Sequence, residues 1–230
     1  TMQRPHISAY ISALAISFLL LLPTRALGQP KRPAVTHRAD TTALFRGIAV
    51  SYDLLGTGQL LLSDYGQYEA ALRINLKDRY FPIIELGIGK ADAEDESTRI
   101  TYKTQAPYGR IGIDFNMLKN KHDIYRLYAG GRYAYTSYKF DISSPGVIDP
   151  NYGGMAPYEA HDVEGNMHWL ELAFGVDAKI CGPVHLGWSV RYKRRLFHRE
   201  GDVGDAWYVP GYGRNGGSRI GGTFNLIFDL

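Results

Sequence analysis

Gly221-Gly222-Thr223-Phe224-Asn225-Leu226-Ile227-Phe228-Asp229-Leu230 alternates apolar with small or polar side chains up to its last residue. Successive side chains of a strand point to opposite faces. Phe224, Leu226, Phe228 and Leu230 therefore share one face, and Gly221, Thr223, Asn225 and Asp229 share the other. A soluble domain rarely closes on a strand with so apolar a face. The closing strand of an outer-membrane barrel does, because one face meets lipid and the other meets the lumen. The same four apolar residues are expected to act as the insertion signal read by the barrel-assembly machinery.

The opposite end carries a matching expectation. Arg4 and His6 precede an apolar run from Ile7 to Leu22, followed by Pro23 and then Ala26-Leu27-Gly28. A basic start, a short apolar core and small residues before a cut read as a cleaved secretory signal over residues 1–28. The run falls short of the roughly 20 apolar residues that span a bilayer as a helix. Thr1 precedes Met2, so the natural start is expected at Met2, and with no Cys after the run a lipid anchor is not expected. Residues 29–45, with Lys31, Arg32 and Arg38, are expected to form a disordered periplasmic lead-in. Residues 46–230 are the expected barrel.

Composition narrows the alternatives. Seventeen Tyr, nine Phe, three Trp and 26 Gly suit strands and turns better than helices. No second apolar run of about 18 residues exists, which excludes a helical membrane protein. A net charge of +3 with interleaved acids and bases gives no support to nucleic-acid binding. Cys181 is the single cysteine, so it forms no intrachain disulfide and has no metal-ligand spacing.

Eight segments of period-2 alternation follow residue 46, at about 46–55, 67–77, 81–91, 107–118, 124–140, 167–180, 184–196 and 219–230. Most match the ~9–11 residues of a tilted transmembrane strand. Their connections alternate between short turns at 77–80, 119–123 and 181–183 and long stretches at 56–66, 92–106, 141–166 and 197–218. This sorting predicts an eight-stranded antiparallel up-and-down transmembrane β-barrel with short periplasmic turns and long extracellular loops. A ten-strand count follows if 98–104 makes a crossing of its own.

The polar face decides which side points inward. It carries Glu69, Arg73, Glu85, Arg110, Asp114, Arg126, Arg132, Glu171, Asp177, Lys179 and Arg191, interspersed with Gly87, Gly89, Gly112, Gly130, Gly175 and Gly187. Glycine weakens a water-facing strand, but in a narrow barrel it makes room for long charged chains. Eight strands leave an interior just wide enough for side chains to fill, so a packed, salt-bridged lumen is expected. On the other face, Tyr125, Tyr80, Phe81 and Phe228 are expected at the inner rim. Tyr133, Tyr135, Tyr52, Tyr68, Tyr108, Tyr192 and Phe197 are expected at the outer rim, as aromatic girdles.

Asp64-Tyr65-Gly66-Gln67-Tyr68-Glu69-Ala70-Ala71-Leu72-Arg73 and its continuation to Pro82 resemble an outer-membrane barrel family of Bacteroidota, domain of unknown function 6048. So do Met117 to Tyr125, Trp188-Ser189-Val190-Arg191-Tyr192 and Trp207-Tyr208-Val209-Pro210-Gly211. The resemblance implies an outer-membrane barrel in a Gram-negative envelope, and it implies no activity, cofactor or catalytic residue.

No catalytic constellation stands out. A deacylase-like site needs a His and a Ser together near the outer rim, with a carboxylate orienting the His. His168, His161 and His198 lack an adjacent Ser, although Ser143 and Ser144 share a loop with His161. Asp92, Glu94, Asp95 and Glu96 lack the spacing and glycine of a calcium loop, and Glu159, His161, Asp162 and Glu164 form a second acidic cluster; neither is assigned a metal. No Gly-rich turn suits a nucleotide. Trp207, Tyr208 and Tyr212 are the candidates for recognition at the barrel mouth, or for a plug over it. The expected protein is a monomeric outer-membrane barrel touching lipid and lipopolysaccharide, with a structural or surface-interaction role. A lipid-modifying acyltransferase or deacylase-like enzyme, a small porin-like pore and a soluble lipocalin-like carrier are the alternatives.

Overall fold

Alternation of side chains sets the architecture. The computed structural model describes residues 43–148, 151, 153–201 and 203–230. The expected signal peptide and residues 29–42 of the expected lead-in lie outside the described residues. Strand β1 (Phe45–Asp53) leads into helix α1 (Leu54–Leu62) and then into β2 (Tyr65–Leu76), β3 (Tyr80–Glu94) and β4 (Thr101–Asn116). Next come β5 (Tyr125–Ile148), β6 (Met155–Cys181), β7 (Val184–Arg199), a short hairpin β8 (Tyr208–Val209) and β9 (Gly213–Arg214), and finally β10 (Ser218–Asp229).

The eight long strands close into one antiparallel barrel, with β10 between β7 and β1. Closure is made by Ala49 to Asp53 against Asp229 to Asn225, so the final strand is also the seam. Closing the ring pairs the edges that an open sheet would expose, except on β10 from Ser218 to Phe224, where β1 has already ended. The ten-strand alternative is removed as well. Thr101 to Thr104 continues β4, pairing with Ala91 to Glu94 on one side and with Phe140 to Ser143 on the other.

Two of the long connections, 92–106 and 141–166, are much shorter than the sequence suggests. Residues 92–94, 101–106, 141–148 and 155–166 extend β3 to β6 as strands. Strands β5 and β6 have 24 and 27 residues, more than twice the ~9–11 that cross a bilayer. The extensions keep the alternation but change chemistry. Their outer face carries Asp92, Lys103, Asp162 and Glu164, exposed and ion-paired, the last two with Lys139 just below the β5 extension. Nearer the turns, the outer face carries Ile84, Leu86, Ile111, Leu172, Phe174 and Val190, all exposed. The connection at 56–66 holds α1: Asp53 caps it, with Oδ1 accepting from Leu55 N–H at 3.1 Å. Nine residues with two glycines gave the helix no clear period.

The sides of two aromatics are corrected. Phe81 and Tyr108 do not belong to the girdles; both point inward, each 3% exposed. Phe81 has the parity of Glu85, and Tyr108 that of Arg110. The remaining rim aromatics, including Tyr68, Tyr125, Tyr133, Tyr135, Tyr192 and Phe197, are exposed on the outer face. Glycines make room inside as the sequence suggested. A Cβ on Gly87 would sit 2.4 Å from the Tyr108 ring, and one on Gly175 would sit 2.4 Å from the Tyr128 hydroxyl.

Candidate functional site

The interior is built by inward positions of β2 to β7. Glu69, Glu85, Asp114, Glu171 and Asp177 face Arg73, Arg110, Arg132, Arg191 and Lys193, all buried. Five acids and five bases cancel, as charges removed from water require. Glu85 is the hub: Arg132 Nε lies at 2.9 Å, Arg191 Nη1 and Nη2 at 2.7 and 3.1 Å, and Arg110 Nη1 at 3.2 Å. Arg132 forks onto Asp114 at 2.9 and 3.0 Å, the bidentate geometry that strengthens such pairs. Glu69 is bonded by Arg110 and by the Tyr108 hydroxyl, the latter at 2.6 Å. Glu171 faces Arg110 Nε at 2.9 Å and accepts from Trp169 Nε1 at 2.7 Å. Arg73 closes the layer on Asp177 and lies 3.7 Å from Asp114. The void among Glu69, Arg73, Glu85 and Arg191 is about 10 Å³, at the lower limit of what holds one water.

All ten lumen residues named from the sequence point inward, though Arg126 lies at the periplasmic end, 3.1 Å from Asp229. Lys179 differs: it is exposed at the end of β6 rather than enclosed. Lys193 completes the layer. Its parity with Arg191 was readable, but nothing in sequence showed that its Nζ reaches the carbonyls of Gly211 and Tyr212 at 2.6 and 3.2 Å.

Those carbonyls belong to the β8–β9 hairpin, which folds into the barrel mouth. Tyr208 and Tyr212 are each 2% exposed and Val209 is fully buried. The Tyr208 hydroxyl donates to Gly66 O at 3.0 Å, and Tyr102 donates to Tyr208 O at 2.8 Å. Of the two roles left open for Tyr208 and Tyr212, recognition or a plug, their burial matches the plug: both rings pack inside the mouth instead of presenting outward. Trp207 stays partly exposed, edge-on to Tyr65 and Tyr102.

The histidines and acidic clusters are placed apart. On the outer face His168 Nδ1 lies 2.6 Å from the Tyr133 hydroxyl, beside Tyr135 and Phe197. Ser143 bonds Thr101, while His161 lies 3.6 Å from Glu159 and 3.8 Å from Asp141. Asp92 pairs with Lys103, and Asp95 caps its turn. Hydrogen bonds from Ser97 and Thr98 hold the Asp95 carboxyl down to about 2. Among the described residues, His198, Glu200 and Asp205 bring their donor atoms close enough to share an ion, with Arg195 3.8 Å from Asp205.

The periplasmic end has one tight polar cluster. Asp78, at positive φ in the β2–β3 turn, accepts from Asn75 at 2.6 Å, from Arg46 at 3.2 Å and from His122 Nδ1 at 2.6 Å. Burial raises its carboxyl, but the bonds from Asn75 and His122 and the Arg46 charge outweigh burial and hold it below 3.8. A carboxyl depressed on folding adds stability above its unfolded pKa and loses it as pH falls through the folded value. Asp78→Asn is expected to be less stable than the parent at pH 7, with the gap closing as pH drops below 3.8. Urea titrations of both proteins across that range check it; a gap independent of pH would contradict the assignment.

A protein-family model described as Domain of unknown function (DUF6048) matches residues 7–228. No curated protein matches the chain. Among solved structures it is similar to a major outer membrane protein from Thermus thermophilus, with 10% identity over 80% of this chain and 98% of that one, TM-score 0.43. It is similar to Ail, the attachment invasion locus protein of Yersinia pestis, solved with the heparin analogue sucrose octasulfate, with 10% identity over 80% and 93%, TM-score 0.37. The N-terminal β-barrel domain of Pseudomonas aeruginosa OprF is 11% identical over 82% and 98%, TM-score 0.34.

Proposed function

The chain belongs to the DUF6048 family, and from that premise we propose that it is a monomeric, non-conducting outer-membrane barrel with a structural or surface-interaction role. The observation that carries this is the pairing of two faces. Exposed Ile84, Leu86, Ile111, Leu172 and Val190 band the outside, while ten balanced charges fill the inside. Apolar side chains in that density suit hydrocarbon. A lumen filled by fixed ion pairs leaves no aqueous path.

Residues 1–28 are then removed as a signal peptide during export in a Gram-negative cell of the Bacteroidota type, and the assembly machinery reads Phe224, Leu226, Phe228 and Leu230. The projecting ends of β3 to β6, rigid because they remain strand-paired, form the surface offered to partners outside the cell, with lipopolysaccharide around their base.

Planar-bilayer recording tests the closed lumen. Purified, folded protein is expected to give no steady current steps at any salt concentration. Reproducible ohmic steps would overturn the non-conducting reading in favour of a pore.

A further inference from the structure

The barrel wall has a break. Strand β1 pairs with β10 only over Asn225 to Asp229. From Ser218 to Phe224, β10 bonds to β7 on one side and meets no strand on the other among the described residues. Helix α1 stands where β1 would continue. It packs on β2 through Gly56 and Gly66, and its Leu55 reaches across to Gly222. The leucines at its end are bare, with Leu61 79% and Leu62 89% exposed.

Behind this break lies a cavity of about 640 Å³, within the ~300–1,000 Å³ range of ligand sites. Leu54, Leu55, Leu62, Ile220 and Phe224 line one part of it, and Lys193, Arg214 and Arg219 another. Arg219 donates to the carbonyls of Arg214 and Asn215 at 2.8 and 3.3 Å. Among the described residues neither Arg214 nor Arg219 has a carboxylate in ion-pair range. The one carboxylate lining the cavity, Asp53, is engaged at the α1 cap and by Phe224 N–H. Arg214 is exposed, its guanidinium over the Tyr65 and Trp207 rings at 5.6 and 5.1 Å, so these two arginines put positive charge without an acidic partner beside an apolar passage.

We propose that the cavity binds a phosphate-bearing lipid of the surrounding outer leaflet, one acyl chain passing between α1 and β10 and its phosphate meeting Arg214 and Arg219; phosphatidylglycerol serves as the probe of that chemistry. The site rests on the membrane placement proposed above. An acyl chain gains little by leaving lipid for leucines, since both are equally apolar, so the guanidinium–phosphate contact sets the selectivity.

Full-length protein in nanodiscs of equal phosphatidylcholine and phosphatidylglycerol, with matched chains, tests this by native mass spectrometry after detergent transfer. One phosphatidylglycerol per barrel is expected to be retained, with inorganic phosphate unable to displace it. The double variant R214Q/R219Q should lose the preference by about tenfold, equivalent to 1.4 kcal/mol. Gly222→Leu should reduce retention of both lipids. A Cβ there meets only ordinary contacts, Ser189 O at 3.5 Å and Leu55 Cδ2 at 3.8 Å, so the side chain obstructs the passage without moving the backbone. A barrel that inserts but retains both lipids alike, keeps its preference in R214Q/R219Q, or releases lipid to inorganic phosphate overturns the site alone. A chain that does not insert overturns the membrane placement as well.

Discussion

Glu85→Ala is expected to cost about 3–5 kcal/mol of folding stability, the penalty for breaking a buried ion cluster by removing one partner. Its carboxylate meets Arg110, Arg132 and Arg191 at 2.7–3.2 Å, and all four side chains are 4% exposed or less. The substitution leaves three guanidiniums facing each other around a small void, with four carboxylates to balance five bases. Glu85→Gln keeps the shape and two hydrogen-bonding atoms, so its loss should fall between the parent and Glu85→Ala. Urea-dependent folding into lipid vesicles reads both. A change under about 1 kcal/mol for Glu85→Ala, the range of exposed pairs, would mean that water reaches the cluster and the lumen is not packed.

Leu172→Arg tests the opposite face. Leu172 is 67% exposed near the middle of the apolar part of β6, beside Tyr192 and Gly131 on the flanking strands. In a bilayer an arginine there costs about 2–4 kcal/mol at the midplane; on a water-washed surface it would cost almost nothing. Lys139→Arg, on the projecting part of β5 where Lys139 pairs with Glu164 at 3.3 Å, is the matched control and should be near neutral. Equal, negligible effects at both positions would place the band in water.

The lumen was legible because charge and parity carry the same message. Arg110 and Asp114 share a face with Asn116, and Glu85 shares one with Gly87, so a period of two puts the ions together whatever the exact register. The same rule, applied carefully, would have placed Phe81 and Tyr108 inside; aromatic type suggested a girdle and overrode the count. The extensions of β4 and β5 were hidden because Lys103 in one and Asp141-Ile142-Ser143-Ser144-Pro145-Gly146 in the other look like loop sequence, although Tyr102, Thr104 and Ala106 kept alternating inward. Tyr208 and Tyr212 carried no signal separating a plug from a binding loop. That difference depends on where the hairpin docks, through Gly66 and Lys193, which are distant in sequence. The break beside β10 was invisible for the same reason, since only strand pairing shows that β1 stops at Asp53.

Two tryptophans on opposite faces offer the most direct test of hydrocarbon outside and ions within. Trp188 is 68% exposed on the outer face and Trp169 is fully buried within the barrel. In single-tryptophan variants with the other two replaced by Phe, folded into vesicles of acyl-brominated lipid, the Trp188 protein should be strongly quenched and the Trp169 protein almost untouched. Quenching of Trp169 by the brominated chains, with Trp188 answering instead to aqueous iodide, would contradict the account.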